Sequence, residues 1–343
     1  MQDLERSGMV AILSSQFSKG LESIEPSAAD KANAPEAHKV VRAALTVADE
    51  LKDWGLNPVL IGSYKRDVSI RRVNDVDVFC RMDDIDDVDA IKVLDKFFKV
   101  LDAEFGTDDE GKKRVKRQAR SITIEFPEYD GLHVDAVPAR KRSDGYWEIP
   151  TRDGEWQTTN PEKLTELKTA MNDTFTGDYV PIVKLVRQTR RTILDSRPGG
   201  LFAELALYDA CVNFKVSKTN LTLGYVTALE AIADYLDDKL SWGTELPDPT
   251  MPGHNLSFRA TDNQWGTARD KFRAAATKAR EAYDEEDSGK AAVKFRELLG
   301  KNGDGDLVFP MPAGYKEDGT KRTSATLVTP GASKVPAGDR RFG

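Results

Sequence analysis

Apolar residues along this chain follow two periods, and the period changes near the middle. Over 36–54, Val40, Val41, Ala44, Leu45, Ala48 and Leu51 recur at helical spacing, and Gly55 follows as a stop. The Ser-, Ala- and Pro-rich stretch before them, ending at Pro35, reads as a linker behind a short helix near 8–24. Pro58-Val59-Leu60-Ile61 is a short buried strand, and 75–80 a second. An amphipathic helix over 89–105 carries Ile91, Leu94, Phe97, Phe98 and Leu101. Strands are expected over 121–126 and 132–137, which together describe a small α+β core. Beyond it, 161–172, 181–194, 201–216, 221–240, 265–284 and 288–299 all read as helices. From Gly303 the chain turns Gly-, Pro-, Thr- and Lys-rich without a period, as a disordered tail does. The expected division is an N-terminal helix and linker (1–35), a core (36–160), a helical domain (161–302) and a flexible tail (303–343).

Composition narrows the function classes. The net charge is −7, a poor basis for generic duplex binding, which rests on Lys and Arg. The basic run Lys112-Lys113-Arg114-Val115-Lys116-Arg117 reads as a solvated loop or helix face. Cys80 and Cys211 are far apart and outside any CxxC, so no zinc or redox motif is present, and both read as buried thiols of a reducing cytosol. No apolar run approaches the ~20 residues that span a bilayer, and the N-terminal charge pattern is not that of a signal peptide. A soluble, cytoplasmic protein is the expectation.

Candidate chemistry begins with Asp75 and Asp77. Set i, i+2 in an apolar strand, they project from one face while Val76 and Val78 enter the core. Two carboxylates side by side repel unless a cation lies between them, and hard divalent ions favour carboxylate oxygen. Asp135, in the apolar strand Leu132-His133-Val134-Asp135-Ala136-Val137-Pro138, supplies a third acid that would be costly to bury alone. Three acids on two strands suit a pair of divalent cations, Mg²⁺ with Mn²⁺ as a substitute, and phosphoryl-type transfer needs little more than positioning and charge neutralisation. The Gly62-Ser63 turn, just upstream, lets backbone approach a phosphate and adds a hydroxyl. Lys65 and Arg66 beside it read as solvent-facing loop charges, with phosphate contact as the alternative. On 181–191, Lys184, Arg187 and Arg191 share one helix face that suits a triphosphate. Tyr64 and Trp156 are base-stacking candidates, with core packing as the other reading. His133 shares the face of Asp135, and His38 and His254 form no ligand spacing with it.

In order, these residues resemble a known family. Gly62-Ser63, then Asp75-Val76-Asp77, then Asp135 in an apolar strand is similar to the signature of the polymerase-β-like nucleotidyltransferase superfamily. The wider series resembles the bacterial cGAS/DncV-like nucleotidyltransferases (CD-NTases, SMODS type). It adds Ser69-Ile70, His133, Trp156 with Thr159-Asn160-Pro161, Lys184 to Arg187, Phe202-Ala203-Glu204-Leu205, Asp248-Pro249 and the helix ending at Gly300. The resemblance implies a mixed sheet with flanking helices and a C-terminal helical domain, two lobes around a central cleft. It implies an enzyme joining nucleoside triphosphates (ATP plus another NTP) into a cyclic di- or trinucleotide for anti-phage signalling (CBASS), with pyrophosphate released and a separate effector activated by the product.

In that pattern Asp75, Asp77 and Asp135 match the metal-binding acids, Gly62 and Ser63 the phosphate loop, and Lys184 and Arg187 the triphosphate-contacting helix. Three positions depart from it. Many members have Lys where Arg187 stands and an aromatic where Thr189 stands, and a Ser frequent before the next helix aligns with Gly199 or Gly200. Some relatives end in a mobile segment whose last small residue is conjugated to targets by a ubiquitin-conjugation-like ligase, which would make Gly343 the conjugation site. Two other readings stay open: nucleotide transfer to RNA or tRNA by a toxin-like enzyme with the same acids, and a non-catalytic binding module.

Overall fold

The structure is a computed structural model that describes residues 2–85, 88–195 and 197–322. Two elements open the chain, α1 (Gln2–Ile24) and α2 (Ala28–Val47). No linker separates them beyond a tight turn. The Ser27 hydroxyl accepts from the Asp30 N–H at 3.0 Å, and the Asp30 carboxylate accepts from the Ser27 N–H at 2.8 Å. This reciprocal cap starts α2 at Ala28, seven residues before Pro35. Pro35 therefore lies inside a helix, and the expected linker up to that residue is corrected: the cap and the burial of Ala34, Ala37, Val41 and Leu45 outweigh one missing N–H.

A sheet follows, built from β1 (Leu56–Ile61), β2 (Asp75–Met82), β3 (Val115–Arg117), β4 (Ile122–Phe126), β5 (Leu132–Lys141), β6 (Trp147–Pro150) and β7 (Trp156–Thr159). Its order is β1-β2-β5-β4-β3, with β6 extending from β5 and β7 from β6. Only β2 and β5 pair in parallel; every other pair is antiparallel. The short helix α3 (Gly62–Lys65) joins β1 to the loop before β2, and α4 (Ala90–Phe105) follows β2. Asp89 caps α4 by accepting the Lys92 N–H at 2.9 Å, and its Val93, Leu94, Phe97 and Leu101 face the sheet. Together with α2 they bury Val76, Val78, Val134 and Ala136, so one face of the sheet is core. The other face carries Asp75, Asp77 and Asp135 by strand alternation.

The basic run at 112–117 is neither a loop nor a helix face throughout. Residues 115–117 form the edge strand β3, and cations of the run pair with neighbours: Arg114, just before the strand, with Glu128 at 2.9 Å, Lys116 with Glu125 and Arg117 with Asp95. Charged side chains on an edge strand discourage pairing with other chains.

The second body contains α5 (Pro161–Thr174), α6 (Tyr179–Ile193), α7 (Gly200–Val212), α8 (Leu221–Trp242), α9 (Asp262–Tyr283) and α10 (Ser288–Leu299). It is centred on α6, whose Ile182, Val183, Leu185 and Val186 are buried. α1 belongs to this body through Leu13, Phe17 and Ile24. So does the segment after Gly300. Val308 and Phe309 are fully buried, Phe309 packs its ring 5.0 Å from Phe17, and Arg296 donates to the Phe309 carbonyl at 2.8 Å. The expected tail thus begins too early at 303: Val308 and Phe309, with Met311 packed beside them, seat the segment on the core. Gly343 and residues 323–343 lie outside the described residues.

Candidate active site

Between the two bodies lies a cavity of about 510 Å³. The sheet side contributes Gly62, Ser63, Arg66, Asp75 and Asp77, and the helical side Asn160, Leu164, Arg187, Leu205 and Asp248. Register places the acids. Asp77 is opposite Asp135 on the parallel strands β2 and β5, and Asp75 is opposite His133. Adjacent strands lie roughly 4.8 Å apart, so the three carboxylates are neighbours on one face.

Their electrostatics follow from that crowding. Burial pushes the Asp77 carboxyl up to about 7, the charges of Asp75 and Asp135 add to the push, and the Arg66 guanidinium opposes it. Asp135 is raised by burial too, against the Thr123 hydroxyl that it accepts and the neighbouring His133. Gly62 has a reason to be glycine that the sequence did not show. Its φ is +76°, and a Cβ there would overlap the Asp77 carboxylate. The turn therefore seats an acid. Ser63, in α3, lies 3.1 Å from the Ser69 hydroxyl.

Among the described residues, no three acid, histidine or cysteine side chains already close around one point at ligand distance. Asp135 is turned to Thr123 and Asp77 to the Gly62 turn. The donor set nonetheless fits a hard divalent cation: all oxygen, mutually repelling, and open to the cavity at Asp75 and Asp77.

Arg66, read as a loop charge, is fully buried. Its Nε and Nη2 donate to Glu204 of α7 at 2.7 and 3.0 Å, a two-pronged ion pair between the bodies. Arg187 of α6 adds a third member, its Nη1 3.4 Å from the same carboxylate. Lys184 does not reach the cleft: it is buried, with Nζ 2.7 Å from Glu25 and 3.3 Å from Asp67. Arg191 donates to the Arg71 carbonyl at 3.0 Å. The face shared by the three cations therefore splits, with Arg187 alone lining the cavity. Tyr64 packs against the sheet core, and Trp156 lies under the Arg140 guanidinium at 4.0 Å; neither lines the cavity, whose apolar wall is Leu164, Leu201, Leu205 and Leu256. His38 is buried on α2, and both cysteines are free and buried. No helix among the described residues is long and apolar enough to cross a membrane.

Comparison with known proteins agrees with this geometry. Residues 12–172 match the Second Messenger Oligonucleotide or Dinucleotide Synthetase domain (SMODS). A relative from Acinetobacter sp. (strain ATCC 27244 / 9458), a cyclic AMP-AMP-AMP synthase, is 28% identical over 326 residues, covering 91% of this chain and 90% of its own length. Among solved structures, E. coli MS115-1 CdnC with ATP is similar at a TM-score of 0.63 and 19% identity, covering 84% of this chain and 96% of that one. Bradyrhizobium diazoefficiens CdnG with GTP is similar at 0.66 and 16%, covering 83% and 97%. At these identities the structural matches speak for the fold.

Proposed function

The chain belongs to the bacterial cGAS/DncV-like nucleotidyltransferases, and from that premise we propose that it joins nucleoside triphosphates into a cyclic di- or trinucleotide, releasing pyrophosphate at each bond. The observation that carries the proposal is the placement of Asp75, Asp77 and Asp135 on one sheet face, the first two lining a nucleotide-sized cavity with Arg187 across it.

In this reading the three acids hold two Mg²⁺ ions, which Mn²⁺ can replace. When bound, these ions neutralise charge at the reacting phosphate and acidify the acceptor hydroxyl. The chain itself does the rest. Arg187 offers a permanent positive charge to the polyphosphate. The Gly62-Ser63 turn brings backbone close to the same anion. Asp135, with one oxygen occupied by Thr123, has the other free to take the acceptor's proton. The acceptor oxygen bonds to the α-phosphorus, the bond to the β-phosphate bridge breaks, and pyrophosphate leaves. A last transfer closes the ring: the free hydroxyl of the final nucleotide bonds to the α-phosphorus of the first, and that nucleotide's pyrophosphate leaves. The apolar wall of leucines holds the bases and excludes water that would compete with the hydroxyl.

Signalling against phage through a separate effector, and conjugation of Gly343 by a ubiquitin-conjugation-like ligase, are parts of the same proposal that rest on the family resemblance. Thin-layer separation of α-³²P-labelled NTP products, with and without added RNA, tests the reaction. A low-mass product that resists phosphatase is expected; label appearing only in the RNA would instead indicate a toxin-like transferase.

A further inference from the structure

The cleft wall pairs a glycine with an arginine. Gly200 opens α7, and the Arg187 guanidinium from α6 lies against it. A Cβ on Gly200 would stand 3.1 Å from Arg187 Cζ and 3.2 Å from both Nη atoms. That is inside ordinary contact distance, so the arginine could not keep its place beside any other residue without shifting. On the same helix, one turn on, Glu204 accepts Nη1 at 3.4 Å. Both Glu204 oxygens are already engaged by Arg66 at 2.7 and 3.0 Å.

One carboxylate thus serves two guanidiniums, with Asp77 within electrostatic reach of Arg66 and Asp75 of Arg187. Arg187 Nε is buried without a partner, and its side chain lines the cavity. Arginine cannot shed its proton to relieve this. A ligand oxygen in the cleft would satisfy that donor.

We propose that Gly200 is a positioning residue: it gives the Arg187 guanidinium the room to lie between Glu204 and the cleft, where it grips the polyphosphate of the nucleotide. The serine of the family pattern aligns with Gly199 or Gly200, and of these Gly200 lies against Arg187, so the residues at 187 and 200 are read as one coupled pair. A planar guanidinium fills the volume a serine side chain would take. The inference rests on the triphosphate reading above.

The test is affinity for α,β-methylene-ATP, which cannot release pyrophosphate, measured by calorimetry on the full chain with thermal midpoints alongside. Gly200→Ser should weaken binding about tenfold by displacing the guanidinium, and Arg187→Lys about tenfold by removing the fork. The double variant should return to within about threefold of the wild type, since a slender ammonium and a serine hydroxyl fit together and restore a donor. Gly200→Ala, which adds only the Cβ, should fall between wild type and Gly200→Ser. Gly199→Ser is the control, because nothing lies within 4 Å of a Cβ there. Independent losses that multiply to about a hundredfold in the double variant would overturn the coupling. So would a Gly200→Ser variant that binds as well as Gly199→Ser. A wild type that does not bind the analogue would remove the triphosphate reading, and this inference with it.

Discussion

Asp77 concentrates the chemistry of the site in one side chain. Its carboxyl is held at about 7 in the native state against 3.8 without the fold. Between those values the native state binds more protons than the unfolded chain, so metal-free stability is highest at the acid end and falls as pH rises through this window. Asp77→Asn removes the penalty. In EDTA at pH 8 its urea unfolding should show a gain on the order of a few kcal/mol, and its stability should be flatter than that of the wild type from pH 4 to 7. Mg²⁺ should stabilise the wild type more at pH 8 than at pH 5, and the variant little at either; a wild type indifferent to Mg²⁺ at pH 8 would speak against these acids as ligands. At this scale, strand alternation made Asp75 and Asp77 legible in the sequence. Arg66 was not legible, because the carboxylate that allows its burial is 138 residues away.

The Arg66–Glu204 pair ties α3 to α7 and so fixes the turn below Asp77 relative to the helical body. Breaking a buried pair from one side strands a charge, which costs about 3–5 kcal/mol. Glu204→Gln strands two guanidiniums and should lower stability by at least that range in urea unfolding. Arg66→Met with Glu204→Met should recover part of this, because one of the two stranded guanidiniums leaves with the carboxylate while Arg187 stays charged; a double variant no better than Glu204→Gln would mean that the hydrogen-bond geometry matters more than the charge balance.

Elements of four turns or so were readable from periodicity, as α4, α6 and α8 to α10 illustrate. The strands of three or four residues, β3, β6 and β7, were not, since no period establishes itself over so short a run. α2 was misjudged at its start because Pro35 reads as a breaker, whereas the capping box at Ser27 and Asp30 sets the true beginning.

The chain starts in the helical body with α1, crosses to the sheet, and returns, and residues 301–322 close over α1 and α10. Phe17, Phe295 and Phe309 meet edge to face or tilted within 5.5 Å, joining the two ends of the described chain. Gly289 is held to glycine by this closure, as a Cβ there would meet Tyr315 and the Gly319 carbonyl. Phe309→Ala should therefore cost about 3–5 kcal/mol. A chain ended after residue 302 should melt several degrees below one ended after 322; equal midpoints for the two would show that 303–322 adds nothing to the body. The two bodies and the cleft were legible from the change of period and the ordered motifs, but the helical body's use of both chain ends was not, because it depends on contacts between residues nearly 300 positions apart.

The most direct test of the proposed reaction is mass spectrometry of the phosphatase-resistant products formed from all four NTPs with Mg²⁺ or Mn²⁺, by the wild type and by Asp75→Ala/Asp77→Ala. A cyclic di- or trinucleotide with matching pyrophosphate is expected from the wild type, and neither from the variant at an unchanged thermal fold. Full activity in the double variant would contradict the role given to these acids, and a wild type that yields pyrophosphate without any cyclic product would contradict the synthase itself.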